Sequence, residues 1–231
     1  MPIWLSSRRL GDITIVHCSG RIVEGDESTD LERLMDALLP DGPYVILHLG
    51  DVDFIDSSGL GLLVRYLTRA RKARGTLKLC AVSPKVAEVL RVTHLQPVFE
   101  SYETEADAIG AIYRRAQSTD APFRFGTDIL CADESEDLQA YLGELLGQAG
   151  YGVITAGNVA DALILLQATR PKLVVISARL RLTSGAQAAE TLHWLARAGA
   201  LVELPPDFSR RDAGEAGRKL LDRIRAIGVV P

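Results

Sequence analysis

The stretch Asp56-Ser57-Ser58-Gly59-Leu60-Gly61 lies between a strand-like run and a helix-like run. Upstream, residues 44–49 read Tyr-Val-Ile-Leu-His-Leu, an almost wholly apolar sequence typical of a strand at the centre of a sheet. Downstream, apolar residues recur at the i, i+3, i+4, i+7 spacing of an amphipathic helix, at Leu60, Leu63, Val64 and Leu67. The stretch is therefore predicted to join a buried strand to a helix in an α/β fold.

Two interpretations of this stretch follow from its residue types. Asp56 and the serines can accept hydrogen bonds from the free N–H groups of a first helical turn, so an ordinary N-cap is one interpretation. Gly59 and Gly61 weaken it, because each glycine inside a helix costs up to about 1 kcal/mol relative to alanine. Glycines are useful where another surface must approach the backbone closely. We therefore favour a protein-docking site, with the two glycines as clearance for a partner.

A hydroxyl at the start of a helix can serve as a phosphorylation switch. Phosphorylation adds a charge of about −1.5 to −2. The helix macrodipole and its free N–H groups tolerate that charge, so the fold should survive. A partner fitted to a neutral surface would not tolerate it, especially beside Asp56, so the switch would act by repulsion and desolvation at an interface.

Similar patterns predict further elements in both halves of the chain. In the first half we expect strands at 12–19, 76–82 and 98–99, a helix opened by a capping box at Thr29–Glu32, and helices at 83–92 and 103–115. In the second half we expect strands at 128–132, 153–155, 173–176 and 201–204, with helices at 138–146, 159–167, 184–198 and 213–227. The alternating order predicts a parallel sheet flanked by helices.

The predicted domain boundary is a mostly polar, unpatterned segment at residues 116–123. We predict one domain at residues 1–118, a linker at 119–126 and a second domain at 127–231.

Residues 3–117 resemble the STAS domain, the fold of anti-sigma factor antagonists. The resemblance rests on Gly20-Arg21-Ile22, Val45 to Leu49, Asp53 to Gly61, Leu77 to Cys80 and Val82-Ser83-Pro84. It implies a mixed sheet with helices packed on one face. It also implies that an anti-sigma factor, itself a serine kinase, phosphorylates Ser57, and that Ser58 is the second candidate acceptor.

The same resemblance implies a cycle of partner exchange. The unphosphorylated antagonist binds the kinase and frees a sigma factor, and a PP2C-type phosphatase resets the switch. The partner-binding residues that the resemblance implies are Asp56, Ser58, Gly59, Leu60, Gly61, Gly20 and Arg21.

Residues 127–227 resemble a response-regulator receiver in a truncated flavodoxin-like form. The acidic pair Asp133 and Glu134 follows the first strand, where a working receiver holds Mg²⁺. Ser177 stands where the phosphoacceptor aspartate belongs, and Pro206 where the lysine belongs. The stretch between Ser177 and Ala198 is too short for the usual helix–strand–helix. We therefore expect a pseudo-receiver used for docking or dimerisation, with Asp133 and Glu134 as helix-start acids rather than metal ligands.

Composition narrows the function classes. The formal net charge is −4, and neither half has a basic excess, which disfavours nucleic-acid binding. Without a bilayer-length apolar run or a signal-peptide pattern, we expect a cytoplasmic protein. Three widely spaced cysteines lie in strand-like runs and are expected to be buried free thiols, at Cys18, Cys80 and Cys131.

Catalytic and metal motifs are weak in this sequence. We find no nucleophile elbow, paired catalytic carboxylates or phosphate loop, so we expect neither an enzyme nor a cofactor. His17 and His48 lie on two strands that are candidates for adjacent positions in the sheet. A metal site formed by the two histidines is nevertheless disfavoured, because no third ligand is evident.

Three functional hypotheses remain. The first is an anti-sigma factor antagonist switched at Ser57, with a homo-oligomer through the second domain as one further expectation. The second is a STAS scaffold in a stress-signalling or two-component-linked complex, in which Ser57 is not modified. The third and weakest is an enzyme or small-ligand sensor built on the receiver-like half.

Overall fold

The computed structural model describes residues 2–40, 42, 44–118, 128–183, 200–206, 208 and 213–230. The chain divides into two compact units, residues 1–112 and 113–231, and each is described by itself. The segment predicted as a linker, residues 119–126, lies outside the described residues, and the domain boundaries stay predictions.

The first unit is built on a mixed five-stranded sheet. Its strands are β1 (Trp4–Leu10), β2 (Ile13–Ile22), β3 (Tyr44–Ile55), β4 (Thr76–Cys80) and β5 (Ser101–Tyr102). They lie in the order β1-β2-β3-β4-β5, with β1 antiparallel to β2 and the other neighbours parallel. The apolar run predicted as a central strand is confirmed, since β3 lies in the middle of the sheet.

Helices cover the sheet of the first unit. They are α1 (Asp26–Leu38), α2 (Ser57–Lys72), α3 (Pro84–Val92) and α4 (Glu105–Ser118), with a short 3-10 helix at Gln96–Val98. Alternate residues of β2, β3 and β4, such as Val16, Leu47 and Leu79, share one buried apolar cluster with α1, α2 and α3. The intervening residues point to the opposite face, where Glu105 at the start of α4 contacts His17 of β2.

Several predictions for the elements of the first unit were wrong. Strand β1 was missed, because its sequence Trp-Leu-Ser-Ser-Arg-Arg-Leu alternates poorly and most of its side chains are exposed or half-buried. Helix α1 begins at Asp26 rather than near Thr29, with Ser28 Oγ accepting from Gly25 N–H. Strand β2 continues through Gly20 to Ile22, and residues 96–98 form a 3-10 helix in place of the strand expected at 98–99.

The second unit contains a four-stranded parallel sheet. Its described elements are β6 (Ile129–Ala132), α5 (Glu136–Gln148), β7 (Val153–Ala156), α6 (Val159–Thr169), β8 (Leu173–Ser177), α7 (Ala178–Thr183), β9 (Ala200–Leu204) and α8 (Ala213–Ala226). The strand order is β7-β6-β8-β9, so the predicted parallel α/β arrangement is confirmed. This order is that of the first four strands in flavodoxin-like folds. The helix predicted at 184–198 lies outside the described residues.

No helix in the part of the chain that the structure describes combines the length and apolar character needed to cross a bilayer.

Candidate functional site

The start of α2 presents two hydroxyl groups to solvent. Ser57 and Ser58 are the first two residues of the helix, and both are exposed. Asp56 is the N-cap, and its Oδ1 accepts a hydrogen bond from Gly59 N–H at 2.9 Å. Its Oδ2 accepts from Glu24 N–H, also at 2.9 Å. One carboxylate thus ties the loop after β2 to the first turn of α2 and holds the serines in place.

The carboxylate of Asp56 is held in its charged form by this geometry. Burial alone would raise the pKa of Asp56, but backbone hydrogen bonds from Gly59, Glu24 and Ser58 outweigh it. The positive charge of Arg21 acts in the same direction, and the net effect lowers the pKa of Asp56 below its ordinary value. A fixed negative charge therefore stands directly beside Ser57.

Glycine is present at positions 59 and 61 for different structural reasons. The interpretation of both glycines as clearance for a partner is therefore corrected. A Cβ on Gly59 would lie 2.6 Å from Ile22 O and 2.8 Å from Ile55 Cγ1, so this glycine lets α2 pack against its own sheet. Gly61 is exposed, and a Cβ there would meet no atom within 4 Å. Only Gly61 leaves its clearance open to another molecule.

Leu60 and Gly20 also have internal roles. The Leu60 side chain is only 4% exposed and packs in the core of the first unit, so little of it can reach a partner. Gly20 has a φ of +90°, and a Cβ there would lie 2.3 Å from Pro2 O. Leu60 therefore packs α2 onto the core, and Gly20 allows the close approach of Pro2. Neither residue offers much surface to a partner.

Arg21 and Phe54 form an exposed basic and aromatic pair, and the charge of Arg21 acts on Asp56. Its guanidinium lies 5.3 Å from the ring centroid of Phe54, which is 45% exposed on the neighbouring strand. Neither Phe54 nor Glu24 was predicted as an individual site residue, although Phe54 lies within the run Asp53 to Gly61 that carries the family resemblance. The sequence signal that could have identified Phe54 is its large aromatic side chain two residues before Asp56, and Glu24 has no comparable signal.

In the second unit, three of the receiver-like residues come together. Asp133, Ser177 and Pro206 line one cavity of about 340 Å³ at the carboxyl ends of β6, β8 and β9. Asp133 is 4% exposed and accepts a hydrogen bond from Ser135 N–H at 2.6 Å, whereas Glu134 is exposed. The predicted acidic pair therefore does not point into one site.

A second cluster in the first unit corrects the statement that the histidine pair lacks a third ligand. His17 and His48 are register partners on β2 and β3, and Glu105 of α4 lies against them. One ligand atom from each of the three residues lies within 4.8 Å of the others.

Comparisons with known proteins point to one family. The family model described as the STAS domain matches residues 5–108. BtrV of Bordetella bronchiseptica, named as an anti-sigma factor antagonist, is 31% identical over 101 residues, which cover 42% of this chain and 87% of that protein. The anti-sigma F factor antagonist of Paenibacillus polymyxa is 27% identical over 100 residues, covering 42% of this chain and 84% of that one.

Among solved structures, an anti-sigma factor antagonist from Mycobacterium paratuberculosis is similar to this chain. It is 26% identical, with a TM-score of 0.44, and the match covers 48% of this chain and 93% of that chain.

Proposed function

Because the chain belongs to the STAS-domain family of anti-sigma factor antagonists, we propose that it is a regulatory binding protein that captures a serine-kinase anti-sigma factor and is switched off by phosphorylation at Ser57. The proposal assigns it no catalytic activity. The observation that carries it is the exposed Ser57 hydroxyl in the first turn of α2, held there by the Asp56 cap.

The surroundings of Ser57 support a switch at an interface. The exposed residues around the start of α2 include Ser58 and Gly61 on the helix and the Arg21–Phe54 pair on the neighbouring strands. A phosphate on Ser57 would stand next to the charged Asp56 carboxylate. The added negative charge would repel a partner fitted to the unphosphorylated surface, while the N-terminus of α2 would accept it without unfolding.

Ser57 is the preferred acceptor, with Ser58 second, and a PP2C-type phosphatase is the proposed reset. The test is incubation of the full chain with purified serine-kinase anti-sigma factors of the source organism and ATP, followed by intact-mass analysis. One phosphate is expected on wild type and on Ser58→Ala, and none on Ser57→Ala. No phosphate on wild type, or equal phosphate on Ser57→Ala, would refute the assignment of Ser57 as the phosphoacceptor.

The competing hypothesis is a scaffold whose STAS domain only assembles with other proteins. The same reaction distinguishes it, because a scaffold would bind its partners without acquiring phosphate. The Asp56 charge and the open approach at Gly61 would serve a scaffold equally well, so the phosphate itself is the discriminating result.

For the second unit we propose a pseudo-receiver that docks or dimerises without phosphotransfer. The cavity at the carboxyl ends of its strands carries Ser177 and Pro206 in place of an acceptor aspartate and a lysine. Incubation with acetyl phosphate and Mg²⁺ is expected to leave the intact mass of the full chain unchanged. A labile phosphate adduct mapping to residues 128–230 would overturn this proposal.

A further inference from the structure

Three side chains able to bind metal converge on the face of the first sheet that α4 contacts. His17 on β2 and His48 on β3 are register partners, and their rings stack with centroids 4.5 Å apart and planes inclined by 23°. Glu105, the first residue of α4, places Oε1 at 2.8 Å from His17 Nε2. Three separate elements therefore supply the cluster, and its ligand atoms all lie within 4.8 Å of one another.

Neighbouring groups hold these side chains in position. The guanidinium of Arg8 on β1 binds Oε2 of Glu105, the oxygen that does not face His17, and so orients the carboxylate. Gly50 lies beside His48, with its N–H 3.4 Å from Nδ1, and a Cβ on Gly50 would lie only 2.8 Å from Cε1 of that ring. The absence of a side chain at Gly50 makes room for the imidazole.

We propose that His17, His48 and Glu105 form a binding site for one divalent transition-metal ion, with Zn²⁺ as the best match. Two imidazole nitrogens and one carboxylate oxygen are a known three-ligand set for zinc, with a fourth position open to water. Mg²⁺ and Ca²⁺ fit poorly, since both prefer all-oxygen ligands.

The geometry requires only a small adjustment. Zinc bond lengths of about 2.0–2.2 Å place tetrahedral ligand atoms about 3.3–3.6 Å apart. His17 Nε2 and Glu105 Oε1, now 2.8 Å apart, would separate slightly, and the more distant ligand atoms, within 4.8 Å, would approach by about 1 Å. A bound ion would link β2, β3 and α4, and would stabilise the first unit in proportion to its occupancy.

The test is calorimetric titration of the chelator-treated full chain with zinc chloride, with magnesium chloride as a parallel titrant. Wild type is expected to bind one zinc ion, to gain thermal stability with it, and to show no saturable magnesium binding. His17→Asn and His48→Asn are expected to weaken zinc binding at least about 100-fold, since even outer-shell losses cost 10–100-fold. Arg8→Gln is expected to weaken it about 10-fold by releasing the carboxylate.

His94→Asn is the matched control, because His94 is exposed in the same unit and lies outside the cluster. It is expected to bind zinc like wild type. If a histidine variant fails to fold by circular dichroism, Glu105→Gln, which keeps the size of the side chain, decides the question. The proposal is overturned if wild type shows neither heat nor thermal shift with zinc, or if the folded cluster variants bind zinc as tightly as His94→Asn.

Discussion

Alanine at Gly59 and at Gly61 should have opposite effects on stability, although both positions lie in the first two turns of α2. At Gly59 the new Cβ would lie 2.6 Å from Ile22 O and 2.8 Å from both Ile22 Cγ2 and Ile55 Cγ1. Such overpacking costs about 1–3 kcal/mol, and the gain in helix propensity returns at most about 1 kcal/mol. We expect Gly59→Ala to lose about 1–2 kcal/mol of unfolding free energy.

Gly61→Ala meets open space and should gain about 0.5–1 kcal/mol from its helix propensity. The two variants should therefore differ by about 2 kcal/mol. Hydrogen exchange of α2 amides in the full chain measures this locally, because it reads the first unit separately from the second. A difference of that size corresponds to more than tenfold in exchange rate.

The two alanine variants should also be distinguished by their affinity for the partner. Gly61→Ala is expected to bind the anti-sigma factor at least about 10-fold more weakly despite its greater stability. If Gly59→Ala proved as stable as Gly61→Ala, the packing account of α2 on β2 and β3 would be refuted. If Gly61→Ala bound like wild type, Gly61 would not be clearance for a partner.

Three further predictions concern polar groups of the first unit. Asp56→Asn should lose about 0.3–1 kcal/mol near neutral pH, because asparagine can still cap α2 but lacks the charge that the helix N-terminus stabilises. Because the pKa of Asp56 is lowered, wild type should lose this advantage only as pH falls below about 3.8. Urea denaturation across acidic pH checks this, and parallel curves for the two proteins would contradict it. Glu100→Gln should lower the free energy of unfolding by about 1–3 kcal/mol, because the buried Lys78 ammonium loses its carboxylate partner. Glu88→Gln, which removes an exposed ion pair with Arg91 on one helix, should change it by no more than about 0.5 kcal/mol. Equal thermal shifts of the two variants would refute this contrast. Tyr66→Phe should lower the free energy of unfolding by about 1 kcal/mol, because it removes the hydroxyl that lies 2.8 Å from Asp36 Oδ1 and 3.0 Å from Glu32 O on α1. An unchanged denaturation midpoint would contradict this prediction.

The strand–motif–helix unit could be predicted because its signals are local. The apolar run at 44–49 and the helical spacing after Asp56 each lie within one element, and both elements form, although β3 continues to Ile55, six residues beyond the predicted run. Ser83-Pro84 likewise opened α3 as predicted, with Ser83 Oγ accepting from Val86 N–H at 3.3 Å.

Features that depend on distant contacts could not be predicted. β1 lies at the edge of the sheet and is stabilised by pairing with β2, which its own sequence does not reveal. The role of Gly59 depends on Ile22, far earlier in the chain. Glu105 approaches His17 across 88 positions, so the third member of the cluster became visible only in the fold.

The topology of the second unit was predicted correctly from the sequence, whereas its chemistry stays a prediction. Alternating apolar strands and amphipathic helices are enough to predict a parallel sheet, and β7-β6-β8-β9 confirms it. Whether the cavity lined by Asp133 and Ser177 has a ligand depends on groups that neither periodicity nor strand order specifies.

The most direct test of the central claim is the dissociation constant between the full chain and its serine-kinase anti-sigma factor, measured before and after stoichiometric phosphorylation at Ser57. We predict at least about 100-fold weaker binding of the phosphorylated chain, equivalent to about 2.7 kcal/mol, with an unchanged circular dichroism spectrum. Equal affinity of the two forms would contradict the account of Ser57 as the switch.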